Sequence, residues 1–212
     1  MPRKNYHHGD LKNALIQAGI KILAEDGVGG LSLRKVARKA GVSHSAPYAH
    51  FADKQTLIAA IASDGHKQIY ERFTAIQARY ADNPLRQLVS GAWAYVQFGL
   101  DSPDHYKITF SGTIQDEHIH QEFVEYSQRN MQVLRLIVEQ CRAADVINSA
   151  GIDPELQAVS LWGMLHGLVL LIIQGQVPGN LMKTTQPKEM VLAALKQVVR
   201  VPINTKMFNY SA

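Results

Sequence analysis

Leu31-Ser32-Leu33-Arg34-Lys35-Val36-Ala37-Arg38-Lys39-Ala40-Gly41-Val42-Ser43-His44-Ser45-Ala46-Pro47-Tyr48-Ala49-His50-Phe51-Ala52-Asp53-Lys54 is the stretch on which the reading of this chain turns. Leu33, Val36, Ala37 and Ala40 recur at helical spacing, while Arg34, Lys35, Arg38 and Lys39 fill the opposite face. Ser32 suits the N-cap, because its hydroxyl can accept from a free amide of the first turn, and Gly41 can take the left-handed conformation that ends a helix. Val42 is then the apolar plug of a tight turn. Ser43 caps a second, very short helix running through His44, Ala46 and Tyr48 to Phe51, with Pro47 at about its fourth position. The pattern is a helix-turn-helix, and DNA is the first partner it suggests.

The run Gly41-Val42-Ser43 followed by Tyr48-Ala49-His50-Phe51-Ala52-Asp53-Lys54, with Leu-Ser-Leu-Arg-Lys-Val-Ala before it, resembles the signature of TetR-type transcriptional regulators. The resemblance is dense from about Asp10 to Ile61 and includes a first helix ending at Glu25-Asp26-Gly27; it departs at Ser45 and Pro47, which bears on the pose of the recognition helix. Chemistry and the resemblance together give roles. Ser32, Ser43, Tyr48, His50 and Lys54 match backbone-contacting positions. Arg34 is the candidate base reader, since guanidinium binds guanine bidentately, and His44, Ser45 and Ala46 fall where base edges or a thymine methyl would be met. Purely structural duty is the alternative for each, above all for Tyr48, whose ring could pack inside the head with only its hydroxyl reaching phosphate. Arg3 and Lys4 form either an amino-terminal arm on DNA or a free tail.

Charge divides the chain in the same place. Residues 1–60 carry nine Lys and Arg against four acids, whereas the remainder carries thirteen against fourteen. The excess positive charge therefore sits where phosphate attraction needs it, though a plain solvated basic face would give the same count. The reading is of two domains, a helix-turn-helix DNA-binding domain at 1–56 and a helical effector-binding and dimerisation domain at 57–212. One cysteine excludes an intrachain disulfide framework, and the first residues lack the apolar stretch of a secretory signal, so a cytoplasmic location is expected. Cys141, among Leu136, Ile137, Val138 and Arg142, reads as a buried, inert thiol rather than a redox sensor.

No strand alternation, repeat or low-complexity tract is present, so the fold class is all-α: a three-helix head and a larger carboxy-terminal bundle, about nine helices altogether. The first helix spans about Leu11 to Glu25 with Leu15, Ala18 and Ile22 inward, and Gly19 a further inward candidate. The fourth starts near Asp53 and carries Leu57, Ile58, Ile61, Ile69 and Phe73. After Asn83-Pro84 come a helix through Trp93 and Phe98, a short one near Tyr106 to Phe110, a long one from about Glu117 to Ala144, and one started by Asp153-Pro154. A loop from Gly175 then leads to a last helix at about Lys188 to Val201 and a loosely held tail. The apolar tract Leu156 to Ile173 is set aside as a membrane span, since Ser160 and His166 interrupt it and its unbroken part falls short of roughly 20 residues.

Trp162, His166 and Gly167 form a Trp-x-x-x-His-Gly pattern resembling one carboxy-terminal subtype of these regulators. Trp162 and His166 share one helix face; Gly163 and Gly167 share another, which admits close helix approach, either within one subunit or across a dimer. The resemblance implies a homodimer joined by the last two long helices of each subunit, reading a near-palindromic operator with half-sites about 34 Å apart. It also implies repression relieved by a small, largely apolar effector. Trp93, Phe98, Tyr106, Phe110, Phe123, Tyr126, Trp162 and His166 are the candidate pocket residues, with ordinary core packing as the alternative; Met131 belongs to the same apolar material. Enzymatic signatures are missing: no phosphate-binding glycine loop, no His-Glu-x-x-His pair, no Gly-x-Ser-x-Gly elbow. His118 and His120 point about 200° apart on a helix and cannot share a metal, which leaves His118 with Glu122 as half a site; His7 and His8 are an isolated pair. No catalytic residue, metal or cofactor is expected. The other class of function kept open is a sequence-tolerant DNA-organising protein without ligand control.

Overall fold

The structure is a computed structural model that describes residues 8–114, 116–149 and 151–208. Arg3, Lys4 and His7 lie outside the described residues. Nine α-helices are present among these: α1 (His8–Gly30), α2 (Leu33–Ala40), α3 (Lys54–Arg79), α4 (Pro84–Asp101), α5 (Pro103–Thr109), α6 (Gln121–Ala143), α7 (Pro154–Ile173), α8 (Gly179–Thr184) and α9 (Pro187–Leu195). Short 3₁₀ turns occur at Ala46–Ala49, Glu117–Ile119 and Thr205–Phe208, and the described residues contain no strand beyond one isolated antiparallel bridge between Ile147 and Val199. The all-α fold read from the sequence is the fold observed.

The described residues form two compact units, one within Met1–His66 and Asp104–Tyr126, the other within Lys67–Pro103 and Ser127–Ala212. In the first, Leu15, Ile22, Val36, Phe51, Leu57 and Ile61 are buried to 3 % exposure or less and make one core with Ile108, Ile114 and Phe123. Gly19 is part of the reason that α1 and α3 approach so closely: a Cβ there would stand 2.7 Å from Ile61 Cδ1. The regular run of α1 breaks at Gly27, whose φ of 65° is open to glycine at little cost. α5 lies as close to α3 at Gly65, where a Cβ would stand 1.9 Å from Thr109 Oγ1. His105 Nε2 is 2.9 Å from the Ile61 carbonyl and 3.7 Å from Asp64 Oδ2 in the same contact.

The second unit is built on α4, whose Asn83 cap accepts from Arg86 N at 3.0 Å and whose Val89, Val96 and Phe98 are fully buried. α7 and α9 pack against α4 and each other. Cys141 is buried with Sγ 3.3 Å from the Pro84 carbonyl, and burial pushes its thiol up to about 12, so it is neutral and unreactive.

Several expectations are corrected. The second helix of the head is a 3₁₀ turn of four residues at Ala46–Ala49, not an α-helix from Ser43, because Pro47 has no amide to extend an α-helical ladder and sits in the first turn. The helix expected from Glu117 begins at Gln121 after a separate 3₁₀ turn. The loop after Gly175 contains α8, and the last helix stops at Leu195 rather than Val201. Beyond it Val198 and Arg200 pair across to the strand-like segment at Val146–Asn148, through Asn148 N to Val198 O at 2.8 Å and Arg200 N to Val146 O at 2.9 Å. The tail is held as far as Phe208, which is 1 % exposed with its ring 5.8 Å from that of Trp93, while Ser90 Oγ donates to Met207 O at 3.2 Å. Finally, α7 is long and apolar enough to cross a membrane by length and composition, with a mean hydropathy of 1.9, so the argument from a short run does not hold. Its packing through Ala158, Leu161, Leu165 and Val169 against the rest of its unit is that of a bundle helix.

Candidate nucleic-acid interface

α2 is short and fixed at both ends. Ser32 Oγ accepts from Lys35 N at 3.2 Å, and Gly41, left-handed at φ 69°, returns its amide to the Ala37 and Arg38 carbonyls. Leu33, Val36 and Ala37 are buried, which leaves the four basic residues on two outer flanks. The flanks differ. Lys35 Nζ pairs with Asp26 Oδ2, and Lys39 Nζ lies 2.7 and 2.6 Å from the two oxygens of Glu25, so both lysines tie α2 to the end of α1. Arg34 and Arg38 are exposed on the other flank.

After Gly41 the chain turns through half-buried Val42 and exposed Ser43, His44 and Ser45 into the 3₁₀ turn. Ser43 Oγ is 3.2 Å from Ser45 Oγ, and the Ser43 carbonyl accepts from Ala46 N at 3.1 Å. Pro47 is the residue buried here, and Tyr48 stands 54 % exposed. The ring of Tyr48 is therefore available outside the head, and the alternative of an internal tyrosine is overturned: in the 3₁₀ turn Pro47 takes the inward place. His50 closes the turn with its amide on the Pro47 carbonyl at 3.0 Å, its ring 6.2 Å from that of Phe51. Asp53 begins α3 by accepting from Thr56 N at 2.8 Å and Thr56 Oγ1 at 2.9 Å, and the Thr56 amide holds its carboxyl below the usual range. Lys54 Nζ donates to the Val28 carbonyl, so it braces the head from α3 while keeping donors in reserve.

Ser32, Arg34, Ser43, His44, Ser45, Tyr48 and Lys54 thus occur together on α2, the turn and the start of α3, all but Lys54 exposed. Ala46 and His50 are half-buried at the two ends of the 3₁₀ turn. A short, end-capped, cationic element beside an exposed polar turn can enter a groove of DNA and hydrogen-bond phosphates and base edges.

Comparison with known proteins places most of the chain. Residues 15–61 match the family described as bacterial regulatory proteins, tetR family, and residues 88–198 match the Tetracyclin repressor-like, C-terminal domain. The chain belongs to the TetR family. Among curated relatives, the uncharacterized HTH-type transcriptional regulator YobS of Bacillus subtilis (strain 168) is 26 % identical over 100 residues, which cover 47 % of this chain and 51 % of YobS. The chain thus spans about half the length of that curated relative. A protein of unknown function from Rhodococcus sp. RHA1 shares the fold over 92 % of this chain and 96 % of its own, with a TM-score of 0.73 and 29 % identity. The transcriptional regulator FadR from Bacillus subtilis, solved in complex with stearoyl-CoA, shares it over 89 % and 97 %, with a TM-score of 0.71 and 17 % identity.

The eight aromatic and histidine residues read as pocket candidates in this TetR-family chain divide between the units. Tyr106, Phe110, Phe123 and Tyr126 belong to the first. There the rings of Phe110 and Phe123 stand edge-on to His66 at 5.1 and 5.3 Å, and Tyr106 is 4.9 Å from Phe110. Burial pushes His66 down to about 4, so it is neutral at physiological pH. Trp93, Phe98, Trp162 and His166 belong to the second. Trp162 Nε1 donates to Tyr95 Oη at 2.9 Å, which is 3.0 Å from His166 Nδ1, and the Trp162 and His166 rings are 5.8 Å apart. Burial lowers the pKa of His166. Tyr95, which joins the pair, carries no periodic or motif signal and was missed in the sequence, as were His66 and the Lys35–Asp26 and Lys39–Glu25 ties. Glu122 bonds Lys12 at 3.2 Å, and His120 and His50 line a small pocket of about 140 Å³ in the first unit.

Proposed function

We propose that this chain is a sequence-specific DNA-binding transcriptional regulator, a repressor that binds a near-palindromic operator as a homodimer and is released by a small, largely apolar effector. The observation that carries the reading is the head: an end-capped α2 with an exposed arginine flank, followed by an exposed Ser43-His44-Ser45 turn and an outward Tyr48. In this reading Arg34, His44, Ser45 and Ala46 meet base edges, and Ser32, Ser43, Tyr48, His50 and Lys54 meet the backbone. Residues 1–56 read DNA, residues 57–212 bind effector and partner, and the protein works by binding in the cytoplasm rather than by catalysis.

Dimerisation is supported by α7. Leu156, Val159 and Leu171 are 59, 44 and 45 % exposed, and a Cβ at Gly163 or Gly167 would meet nothing within 4 Å of its own chain. An apolar stripe with open glycines suits a second copy of the same helix. The effector reading keeps to the second unit, where Trp93, Phe98, Trp162 and His166 supply apolar surface and a polar group. FadR, bound to stearoyl-CoA, supports a long acyl chain as the class to try first.

Selection of bound duplexes from random DNA tests the reading. The expected product is an inverted repeat with half-sites about 34 Å apart, from which Arg34→Ala shifts the preferred base. Binding without enrichment favours the sequence-tolerant DNA-organising alternative. An equal loss on every duplex for Arg34→Ala rejects its role as base reader. Sedimentation showing only monomer, with or without DNA, removes the dimer. A panel of acyl-CoA thioesters tests release; a coupling of about 1–3 kcal/mol lowers operator affinity about 5- to 150-fold.

A further inference from the structure

The four basic residues of α2 look equivalent in sequence and are not equivalent in the fold. At about 100° per residue, Lys35 and Lys39 share one flank, and Arg34 and Arg38 share another about 100° away. The lysine flank faces carboxylates: Lys35 on Asp26 and Lys39 on both oxygens of Glu25. The arginine flank faces none. Both arginines are exposed, and among the described residues no carboxylate or carbonyl takes either guanidinium. Residue chemistry sorts the same way. A compact ammonium suits a point contact with one carboxylate, whereas the planar fork of a guanidinium matches two oxygens of a phosphate.

We infer that Arg38 is a further phosphate-gripping side chain of the head, about 6 Å along the helix axis from the base reader Arg34, and that Lys35 and Lys39 orient α2 on α1 without touching DNA. This rests on the DNA-binding reading above. The root of Arg38 is held in place, because its carbonyl accepts from Gly41 N at 3.2 Å and the adjacent Ala37 carbonyl accepts from Val42 N at 3.0 Å. A paired lysine brings its carboxylate with it, so the pair adds no net charge to the surface that meets the polyanion. An unpaired arginine adds a full one, and its contact releases a counterion. The competing account gives Arg38 only a stabilising role, since a cation in the last turn of a helix is favourable for its own sake.

Salt dependence separates the two. With the full-length protein, a random-sequence duplex and a duplex enriched by selection are titrated over a range of salt, and each lost phosphate contact lowers the slope of log K against log salt by about 0.9. Arg38→Ala and Arg38→Gln are expected to lower the slope by about this amount on both duplexes, with an equal fold-loss on each, and Arg38→Lys to restore most of it. The double variant Glu25→Ala with Lys39→Ala keeps the head's net charge and is expected to keep the slope while melting at a lower temperature. An unchanged slope in Arg38→Gln, accompanied only by a lower melting temperature, overturns the inference. So does a slope loss in the double variant equal to that of Arg38→Gln. If the unmodified protein shows no salt-dependent binding to either duplex, the DNA-binding reading itself has failed, and the inference falls with it.

Discussion

α2 and α7 are both capped helices, and their outward faces are opposites. α2 has eight residues, buries Leu33, Val36 and Ala37, and turns four basic side chains outward. α7 has twenty, buries Gln157, Ala158, Leu161, Leu165 and Val169, and leaves Leu156, Val159 and Leu171 in contact with solvent. In α2 the apolar surface is consumed within the chain, and what remains is charged. In α7 apolar surface is left over. Leftover charge is soluble and waits for a polyanion; leftover apolar surface is unfavourable until something covers it. The contrast can be broken by placing the same substitution on both helices. Val36→Asp puts a carboxylate at a site with no exposed surface, and a loss of more than about 4 kcal/mol is expected, with the head unfolded and all DNA binding gone. Val159→Asp falls on a residue 44 % exposed and should change the stability of the separate chain by no more than about 0.5 kcal/mol while driving the proposed dimer to monomer. Thermal melting and sedimentation of both variants check this. A Val159→Asp protein that stays dimeric would show that α7 is not the dimer face.

The same contrast explains which features were legible in the sequence. Caps and periodicity are local, so Ser32, Asn83 and Asp153 each mark the start of a helix, and Leu57, Ile58, Ile61, Ile69 and Phe73 are buried as their spacing requires. Pro47 was visible, and its missing amide leaves the Ser43 carbonyl to Ala46 N, but that Pro47 rather than Tyr48 is the buried residue of the turn is a matter of packing with no local signal. Long-range contacts left no periodic trace. Phe208 on Trp93, the pairing of Ile147 with Val199, and Tyr95 between Trp162 and His166 each join residues far apart in the chain. The charge count of the first sixty residues was correct as arithmetic, yet it could not show that Lys35 and Lys39 are neutralised by Asp26 and Glu25.

Glycines sharpen the comparison at a smaller scale. At Gly65 in the first unit the space for a side chain is already taken by Thr109, so Gly65→Ala is expected to cost about 1–3 kcal/mol at every protein concentration. Thr109→Ala removes the Oγ1 and Cγ2 atoms that stand 1.9 and 2.9 Å from the added Cβ, and should recover part of the loss. At Gly163 the space is empty in the chain itself. Gly163→Ala should therefore stabilise the separate chain by up to about 1 kcal/mol through helix propensity, yet weaken self-association if a second helix approaches there. Melting followed over a range of protein concentrations separates the two effects. A Gly163→Ala dimer as tight as the unmodified one would mean that the partner passes elsewhere on α7.

Small effects are expected at the caps, where the two helices should behave alike. Ser32 accepts from Lys35 N at 3.2 Å, and Asp153 accepts from Glu155 N and Leu156 N at 2.9 and 3.2 Å. Each leaves a first-turn amide without its partner when cut back to alanine, and each should cost about 1 kcal/mol. The consequences then part according to what the capped helix presents. Ser32→Ala should also weaken binding to every DNA sequence by a similar factor, because its side chain, exposed at the start of α2, is proposed to meet the backbone. Asp153→Ala should leave DNA affinity per dimer unchanged and lower only the melting temperature. If Asp153→Ala weakens DNA binding as much as Ser32→Ala at a concentration where the dimer is intact, the loss at Ser32 reflects stability alone, and Ser32 leaves the list of backbone contacts. The equal cost at the two caps would make the main point physically: helix formation is the same in both regions, and what differs is the outward face, charged on α2 and apolar on α7.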